Sequence, residues 1–230
     1  MRRHINLRFI AIALSIAVFA PNAWAGQKQE NKVRSARWVY EELFGNQQEK
    51  IPAALMADTR CLAVFPGLVE AGLVFGGSHG TGVVSCRNDE GKWSPPSFVK
   101  SSEGSFGLQI GYKSSDVVFF FVTEKSTKVL LDEKTTFGGS LKYAAGPTGG
   151  QTGTTTDKEL SSDVYIYAKS RGLFGGASVE GVRLGASPKA LRKYYGHYVW
   201  PGQILFDHDI PTTPPEALEF AEGLDRMPWE

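Results

Sequence analysis

Cysteine, histidine and net charge are scarce in this chain of 230 residues. It contains two Cys and four His, and its formal net charge is +1. Two Cys allow at most one disulfide, and so few His leave little material for acid–base catalysis. No H-E-x-x-H motif is present, and residues 76–80 (GGSHG) match G-x-S-x-G in their letters but are not followed by a helix pattern. A charge so near zero excludes a globally basic surface for nucleic acid.

Long apolar runs are also missing, except at the N-terminus. Residues 9–20 are apolar apart from Ser15, a basic start precedes them, and residues 23–25 (AWA) form a small-x-small pattern. This arrangement predicts a secretory signal peptide over residues 1–25, and the run is too short for a comfortable membrane span. The alternative is an uncleaved anchor. Cleavage after Ala25 removes three Arg and no acidic residue, leaving 22 basic and 24 acidic residues, a net charge of −2.

The two cysteines, Cys61 and Cys86, lie in successive predicted strands. Export permits a disulfide between them, which would add about 3 kcal/mol in the chain-entropy model. Two buried free thiols are the equal alternative, because Cys packs well as a small hydrophobe.

Glycine is abundant, and two segments repeat its placement. Residues 71–83 read AGLVFGGSHGTGV and residues 171–182 read RGLFGGASVEGV. Gly weakens a strand interior, so its repeated use here predicts tight bends or close backbone approach. The run 76–80 could present N–H groups to a phosphate, but neither a helix nor a Lys follows it. We therefore interpret it as a hairpin turn, and we discount residues 172–176 as a phosphate loop in the same way.

Periodicity and cap signals predict helices toward both ends and strands between them. The predicted helices span residues 27–45, 52–58, 124–132, 188–196 and 214–223. The predicted strands span residues 61–65, 71–76, 81–87, 95–100, 105–112, 116–122 and 163–169. The loop 146–156 is polar and glycine-rich. We predict an α+β fold: a predominantly antiparallel, barrel-like or strongly bent sheet with flanking N- and C-terminal helices, forming one domain over residues 26–230.

An ordered series of motifs resembles a known family, the SYLF domain, which is also described as an actin-binding domain in yeast actin-patch proteins. The resemblance spans roughly residues 33–225, and the order and spacing of the motifs carry it. They are CLAVFP at 61–66, AGLVFGG at 71–77, GTGVVSCR at 80–87, GKWSPPSF at 91–98, GSFGLQIG at 104–111, DVVFFFV at 116–122, AAGPTGG at 144–150, DVYIYAKSRGLFGGASVEG at 163–181, YYG at 194–196 and ILF at 204–206.

The resemblance implies a non-enzymatic domain of the bacterial cell envelope that binds anionic, phosphoinositide-like or long-chain lipids at a membrane surface. It also implies that the N-terminal helix contacts the headgroups. The corresponding basic residues here are Lys28, Lys32, Arg34 and Arg37. A solvated helix face is the alternative for these four residues. We expect the protein to be periplasmic or secreted.

Other interpretations remain open at this point. The domain could serve as an envelope scaffold or protein-interaction module, or, more weakly, as a hydrolase built around His79, His197 or His208. The run Asp207-His208-Asp209 is a poor metal site. Successive side chains of an extended segment face opposite ways, so His208 would point away from the two carboxylates. We interpret it as a polar strand end or turn and predict neither a metal nor another cofactor. Nine aromatic residues could line an acyl-chain cavity or pack a core. They are Phe119, Phe120, Phe121, Tyr165, Tyr167, Tyr194, Tyr195, Tyr198 and Trp200.

Overall fold

A computed structural model describes most of the chain. The described residues are 23–45, 51–72, 75–106, 111–131, 135–136, 141, 143–145, 162–171, 183–210 and 212–229. The predicted loop 146–156 and most of the second glycine-rich segment, residues 172–182, lie outside them. So do residues 1–22, and cleavage after Ala25 stays a prediction.

Helices lie toward the two ends of the chain, and most of the strands lie between them. In chain order they are α1 Ala23–Gly45, α2 Ala53–Asp58, β1 Cys61–Gly72, β2 Phe75–Cys86, β3 Ser97–Phe106, β4 Gly111–Phe121, α3 Glu124–Lys128, β5 Thr135–Thr136, β6 Tyr143–Ala145, β7 Val164–Arg171, β8 Arg183–Ala186, α4 Pro188–Tyr195, a π-helical turn Gln203–Asp207, and α5 Pro215–Asp225.

The strands form one curled sheet in the order β5-β8-β3-β2-β1-β4-β7-β6. Neighbouring strands are antiparallel, except that the short β6 runs parallel to β7. Helices flank the sheet at both ends of the chain. The predicted α+β class with a bent antiparallel sheet is therefore confirmed.

Both faces of the sheet are buried, which explains the continuously apolar β4. Phe120 and Val118 point into a core shared with the helices, which we call the helix-side core. Phe119, Phe121 and Val117 point into a second core on the opposite face. Side chains alternate between the faces of a strand, so a strand buried on both sides must be apolar throughout.

The alternation predicted for β7 follows the same rule. Tyr165 and Tyr167 lie in the helix-side core, and Val164 and Ile166 lie in the opposite core. Seven of the nine aromatic residues proposed as a cavity lining are buried in these two cores, whereas Tyr198 and Trp200 are exposed. Ring contacts such as Phe120 to Tyr167, with centroids 5.2 Å apart, show core packing.

The helix boundaries follow their cap signals closely. Thr123 caps α3 as predicted, accepting a hydrogen bond from the Ser126 N–H. Helix α3 is shorter than predicted, although Val129 and Leu130 are buried after its end, as expected. Gly196 ends α4 with a φ of 79°, in the left-handed region that favours glycine.

Helix α5 contradicts one prediction about which side chains face the core. Ala221 is buried as expected, but Leu218 is 49% exposed rather than inward. The buried positions of the helix are Ala217, Phe220, Ala221, Gly223 and Leu224. Residues three or four positions apart share one face of a helix, and Ala217, Phe220, Ala221 and Leu224 are related in this way. Leu218 follows Ala217 by one residue, so its side chain points away from that face.

Strand boundaries in the glycine-rich region differ from the prediction. Residues 77–80 are not a hairpin turn, because β2 runs through them and pairs with both β1 and β3. Strands β1 and β2 pair down to Gly72 and Gly76, and only residues 73 and 74 separate them. The predicted strand 105–112 is divided between the end of β3 and the start of β4.

Candidate functional site

Strand β1 does not end at Pro66-Gly67, as the sequence suggested, but continues through a bulge. Its pairing register shifts between Phe65 and Leu68 against β4, and Gly67 has a φ of 63°. A bulge is one of the few places where a strand accepts Pro, which has no N–H to donate. The Gly67 N–H donates to the Asp116 Oδ1 of β4 at 2.9 Å. The bulge leaves the Pro66 carbonyl available to another element.

Lys32 of α1 uses that carbonyl. Its Nζ donates a hydrogen bond to the Pro66 oxygen at 3.1 Å, and the side chain is partly buried. Burial lowers the pKa of the Lys32 ammonium below its usual value, and nearby Lys28 lowers it further, while Asp116 acts in the opposite direction. Lys32 therefore anchors the first helix to the bulge.

Arg37 is also engaged within the protein. Its Nε lies 2.7 Å from Glu41 Oε1, and its Nη1 lies 2.9 Å from Glu219 Oε2 on α5. The hydrogen bond to Glu41 raises the pKa of the Arg37 guanidinium. The pair with Glu219 ties α1 to α5, and the two pairs together occupy the guanidinium that the sequence pattern assigned to a headgroup.

Lys28 and Arg34 are different, because both are exposed. Arg34 Nη2 donates to Asn31 Oδ1, a partner on the same exposed face of α1. One turn further along, Trp38 keeps 51% of its surface accessible. We call Lys28, Asn31, Arg34, Ser35 and Trp38 the outer face of α1. The headgroup role of the four basic residues stays a prediction, and the structure separates them into two exposed and two engaged groups.

A cleft of about 510 Å³ opens where the outer face of α1 meets the bulge. It is lined by Lys32, Arg34, Ser35, Trp38, Val39, Pro66, Gly67 and Asp116. The cleft brings a guanidinium, an ammonium and an indole together beside one carboxylate. Such a set can bind an anionic group and place an apolar segment against the indole.

Sequence reasoning missed Trp38. The signal was present, since Trp38 follows Arg34 by four residues and is therefore on the same helix face. The apolar periodicity of α1 is carried by Val33, Ala36 and Tyr40, which lie on the opposite, inner face and do not point to Trp38. All three are buried in the helix-side core.

The glycines of β2 serve the close packing that the sequence suggested, at two positions beyond the Gly-Gly pair. A Cβ placed on Gly82 would lie 2.8 Å from the Phe65 ring, and one on Gly80 would lie 2.5 Å from Leu68 Cδ1. Real Cβ atoms do not come so close, so both positions require glycine for side chains of β1 to cross the backbone of β2. The second Gly-Gly pair lies outside the described residues.

Cys61 and Cys86 form a disulfide across directly paired residues of β1 and β2. Both are fully buried in the opposite core. The bond joins the two central strands at the end opposite their Gly72–Gly76 pairing.

The run Asp207-His208-Asp209 lies at a helix end and not at a strand end. Asp207 closes the π-helical turn, and His208 follows it with a φ of 53°. In the part of the chain that the structure describes, no group of three metal-ligating side chains comes together. No described helix is both long enough and apolar enough to cross a membrane.

Comparison with known sequences places this architecture in a family. The sequence model described as "Ysc84: Las17-binding protein actin regulator" matches residues 102–227. The chain belongs to the Ysc84 family. This finding confirms the resemblance to the SYLF domain. The matched span begins within β3, so α1 and its outer face lie outside it.

Ysc84-family relatives in eukaryotes share about a third of their residues with the chain. The SH3 domain-containing YSC84-like protein 1 of Bos taurus is 34% identical over 176 residues, which cover 76% of this chain and 51% of that protein. LAS seventeen-binding protein 3 of Saccharomyces cerevisiae (strain ATCC 204508 / S288c) is 33% identical over 195 residues, 84% of this chain and 41% of that protein. The chain thus spans about half the length of these relatives.

Proposed function

We propose that this protein is a non-enzymatic domain of the cell envelope that binds anionic lipid surfaces through the outer face of α1. One observation carries the proposal: Lys28 and Arg34 are exposed beside the half-exposed indole of Trp38. Basic side chains attract lipid phosphates, and indoles favour the boundary between headgroups and acyl chains.

The expected binding is weak and reversible. Each Lys or Arg near an anionic surface contributes about 1 kcal/mol, so Lys28 and Arg34 together supply about 2 kcal/mol. Trp38 adds apolar surface next to the cleft. Lys32 and Arg37 hold the helix in place through Pro66 and Glu219, so that the outer face is presented on a fixed element.

Export to the envelope agrees with the chemistry of the cysteines. The chain begins with a predicted signal peptide, and a buried disulfide is typical of proteins in oxidising compartments. We expect binding of phosphoinositide-like and other long-chain anionic lipids alike, since the outer face of α1 offers its phosphate contacts on an open surface.

A non-enzymatic role is supported by the relatives' names, which describe binding and regulation. Among the described residues, no hydrogen bond joins a His to a Ser. A hydrolase built around His79, His197 or His208 stays the weaker alternative.

Vesicle flotation tests the proposal. The exported protein, with its N-terminus read by mass spectrometry, is mixed at low salt with vesicles of phosphatidylcholine alone or with added phosphatidylglycerol. We expect flotation with the anionic vesicles only, and its loss at high salt, because salt screens exposed charges. Absence of flotation together with absence of lipid in native mass spectra would contradict the proposal.

A protein-binding role is the second candidate, and the family description favours it. That description reads "Las17-binding protein actin regulator", and a yeast relative is named for binding LAS seventeen. Co-sedimentation with actin filaments separates the two candidates. Pelleting with filaments and no flotation with vesicles would favour the protein partner over the lipid.

A further inference from the structure

Exposed aromatic side chains concentrate in one short segment of this fold. The exposed large hydrophobic residues of the described chain are Trp38, Tyr198, Trp200, Phe206 and Leu218. Three of the five fall between residues 198 and 206, and Tyr198 is 66% exposed. Single exposed apolar residues are ordinary, whereas a concentration of them indicates an interaction surface. We call residues 196–209 the aromatic corner.

The aromatic corner is anchored, so its exposure does not come from a loose segment. Ile204 is buried in the helix-side core, and its neighbour Leu205 is buried in the opposite core. A π-helical turn allows consecutive side chains to reach the two cores. The Gln203 N–H donates to the Trp200 carbonyl at 3.1 Å, and the Trp200 N–H donates to Gln203 Oε1 at 3.3 Å.

The Trp200 ring has a defined position. It lies over the backbone of Gly202, where any Cβ would collide with the indole. One side of the ring is therefore covered, and 45% of the residue stays accessible. An indole held in this way is ordered before it meets a partner, which lowers the entropic cost of binding.

The backbone at the end of the corner has two uncommon features. His208 is the one non-glycine residue with positive φ in the described chain. It directly follows a π-helical turn, a conformation that often occurs at functional sites. Non-glycine residues in the left-handed region persist where the surroundings enforce them, and they cluster at functional sites.

Positive charge lies at the start of the corner. Arg192 and Lys193 occupy the last turn of α4 and are exposed. A Cβ on Gly26 would lie 3.6 Å from the Lys193 carbonyl oxygen, so the N-terminal turns of α1 come close to the end of α4. Lys28 follows two residues later on α1. The acidic residues Asp207 and Asp209 lie at the other end of the corner, beyond Phe206.

We propose that Tyr198 and Trp200, with Arg192 and Lys193, form a second contact with an anionic bilayer surface. The inference rests on the proposed lipid-binding function and extends it to residues that do not belong to the outer face of α1 but lie close to its N-terminal end. Charge complementarity selects this occupant, because two exposed cations in the helix turn that leads into Tyr198 and Trp200 match phosphates above the acyl boundary. Tyr and Trp suit that boundary since each has an apolar body and a polar tip.

Quenching of Trp fluorescence by brominated acyl chains tests the second contact. Trp93 and Trp229 are buried, and Trp24 belongs to the predicted signal peptide. Among the residues whose side chains the structure describes, the exposed indoles are those of Trp38 and Trp200. The exported, processed protein and its Trp38→Phe and Trp200→Phe variants are mixed with brominated anionic vesicles. We expect quenching to persist in Trp38→Phe and to fall clearly in Trp200→Phe.

Flotation of further variants supplies the matched controls. Removing both cations with Arg192→Ala and Lys193→Ala should weaken binding to anionic vesicles by about fivefold per cation. Leu218→Ala removes an equally exposed apolar side chain from α5 and should leave binding unchanged. Circular dichroism checks that each variant is folded.

Three other results would contradict the proposed second contact. If quenching disappears in Trp38→Phe but is unchanged in Trp200→Phe, the outer face of α1 binds lipid alone and the proposed function stands. Normal flotation of a Tyr198→Ala, Trp200→Ala double variant would show that the aromatic corner does not contribute to lipid binding. Absence of flotation by the unmodified protein would contradict the proposed function as well.

Discussion

The two faces of α1 carry the same kinds of residue with opposite consequences. Tyr40 on the inner face is fully buried, contacts the Phe220 ring with centroids 5.3 Å apart, and donates to the Phe220 carbonyl at 3.0 Å. Trp38 on the outer face is half-exposed. Arg37 pairs with two carboxylates, whereas Arg34 reaches the side chain of Asn31.

This difference separates stability from binding along one helix. The inner face supplies the burial that holds α1 on the fold, and the outer face supplies exposed charge and an aromatic ring at little cost to folding. Residue type alone does not assign a role, because an aromatic and an arginine occur on each face. The position of the side chain relative to α5 and the sheet makes the assignment.

The largest expected effect comes from exchanging the aromatic residue on each face. Tyr40→Ala should lower the free energy of unfolding by about 3–5 kcal/mol, the range for deleting a buried aromatic ring. Trp38→Ala should lower it by clearly less, because about half of this side chain is already exposed to water in the folded state. Urea unfolding measures both. Equal losses in the two variants would abolish the distinction between the faces.

A smaller effect is expected where α5 meets Tyr40. A Cβ on Gly223 would collide with the Tyr40 hydroxyl, so Gly223→Ala should displace the ring from its partner. We expect a loss of about 1–3 kcal/mol from overpacking, despite the better helix propensity of Ala.

Gly45→Ala is the matched control for this change. Nothing lies within 4 Å of a Cβ at Gly45, so this variant should keep the stability of the parent protein. Thermal unfolding of the two variants gives the comparison. A Gly223→Ala protein as stable as Gly45→Ala would show that the contact between Tyr40 and α5 is dispensable.

Alkaline pH should gradually weaken the helix-side core, which contains Tyr40, Tyr194 and Tyr195. Burial raises the pKa of Tyr40, Tyr194 and Tyr195 above the usual 10.0. A raised pKa in the folded state gives stability that is complete below pH 10.0 and is lost as pH rises further, because the unfolded chain releases its protons first. Lys32 acts with the opposite sign, since its lowered pKa makes folding more favourable as pH approaches 10.5.

Three tyrosines outweigh one lysine, so the free energy of unfolding should fall as pH rises above 10.0. Urea midpoints at several pH values measure the slope. Tyr40→Phe removes one of the three groups and should make the slope shallower. A slope that is identical in Tyr40→Phe would contradict this assignment.

Local signals in the sequence predicted most elements but not their tertiary environment. The helix ends at Gly45 and Gly196, the Thr123 cap and the buried β4 all follow from neighbouring residues. The prediction that β1 ends at Pro66-Gly67 was wrong. The same dipeptide suits a turn and a bulge, and pairing with β4 decides between them. Glycines at 76–80 misled for the same reason, since partner strands on both sides keep them extended.

The candidate site shows the same limit. Spacing placed Lys28, Lys32, Arg34 and Arg37 on α1, but it could not show which of them find partners. Glu219, which pairs with Arg37, lies 182 residues away in sequence. The carbonyl that accepts from Lys32 is exposed by a bulge that the sequence did not reveal. Only the folded arrangement separates engaged cations from exposed ones.

The most direct measurement of this separation compares Arg34→Ala with Arg37→Ala in vesicle flotation. The two variants lose the same charge from residues three apart on one helix. Lipid binding by the outer face predicts that Arg34→Ala weakens binding to anionic vesicles about fivefold, the value of about 1 kcal/mol, while Arg37→Ala leaves it nearly unchanged. Equal weakening by both variants, or by neither, would contradict the account.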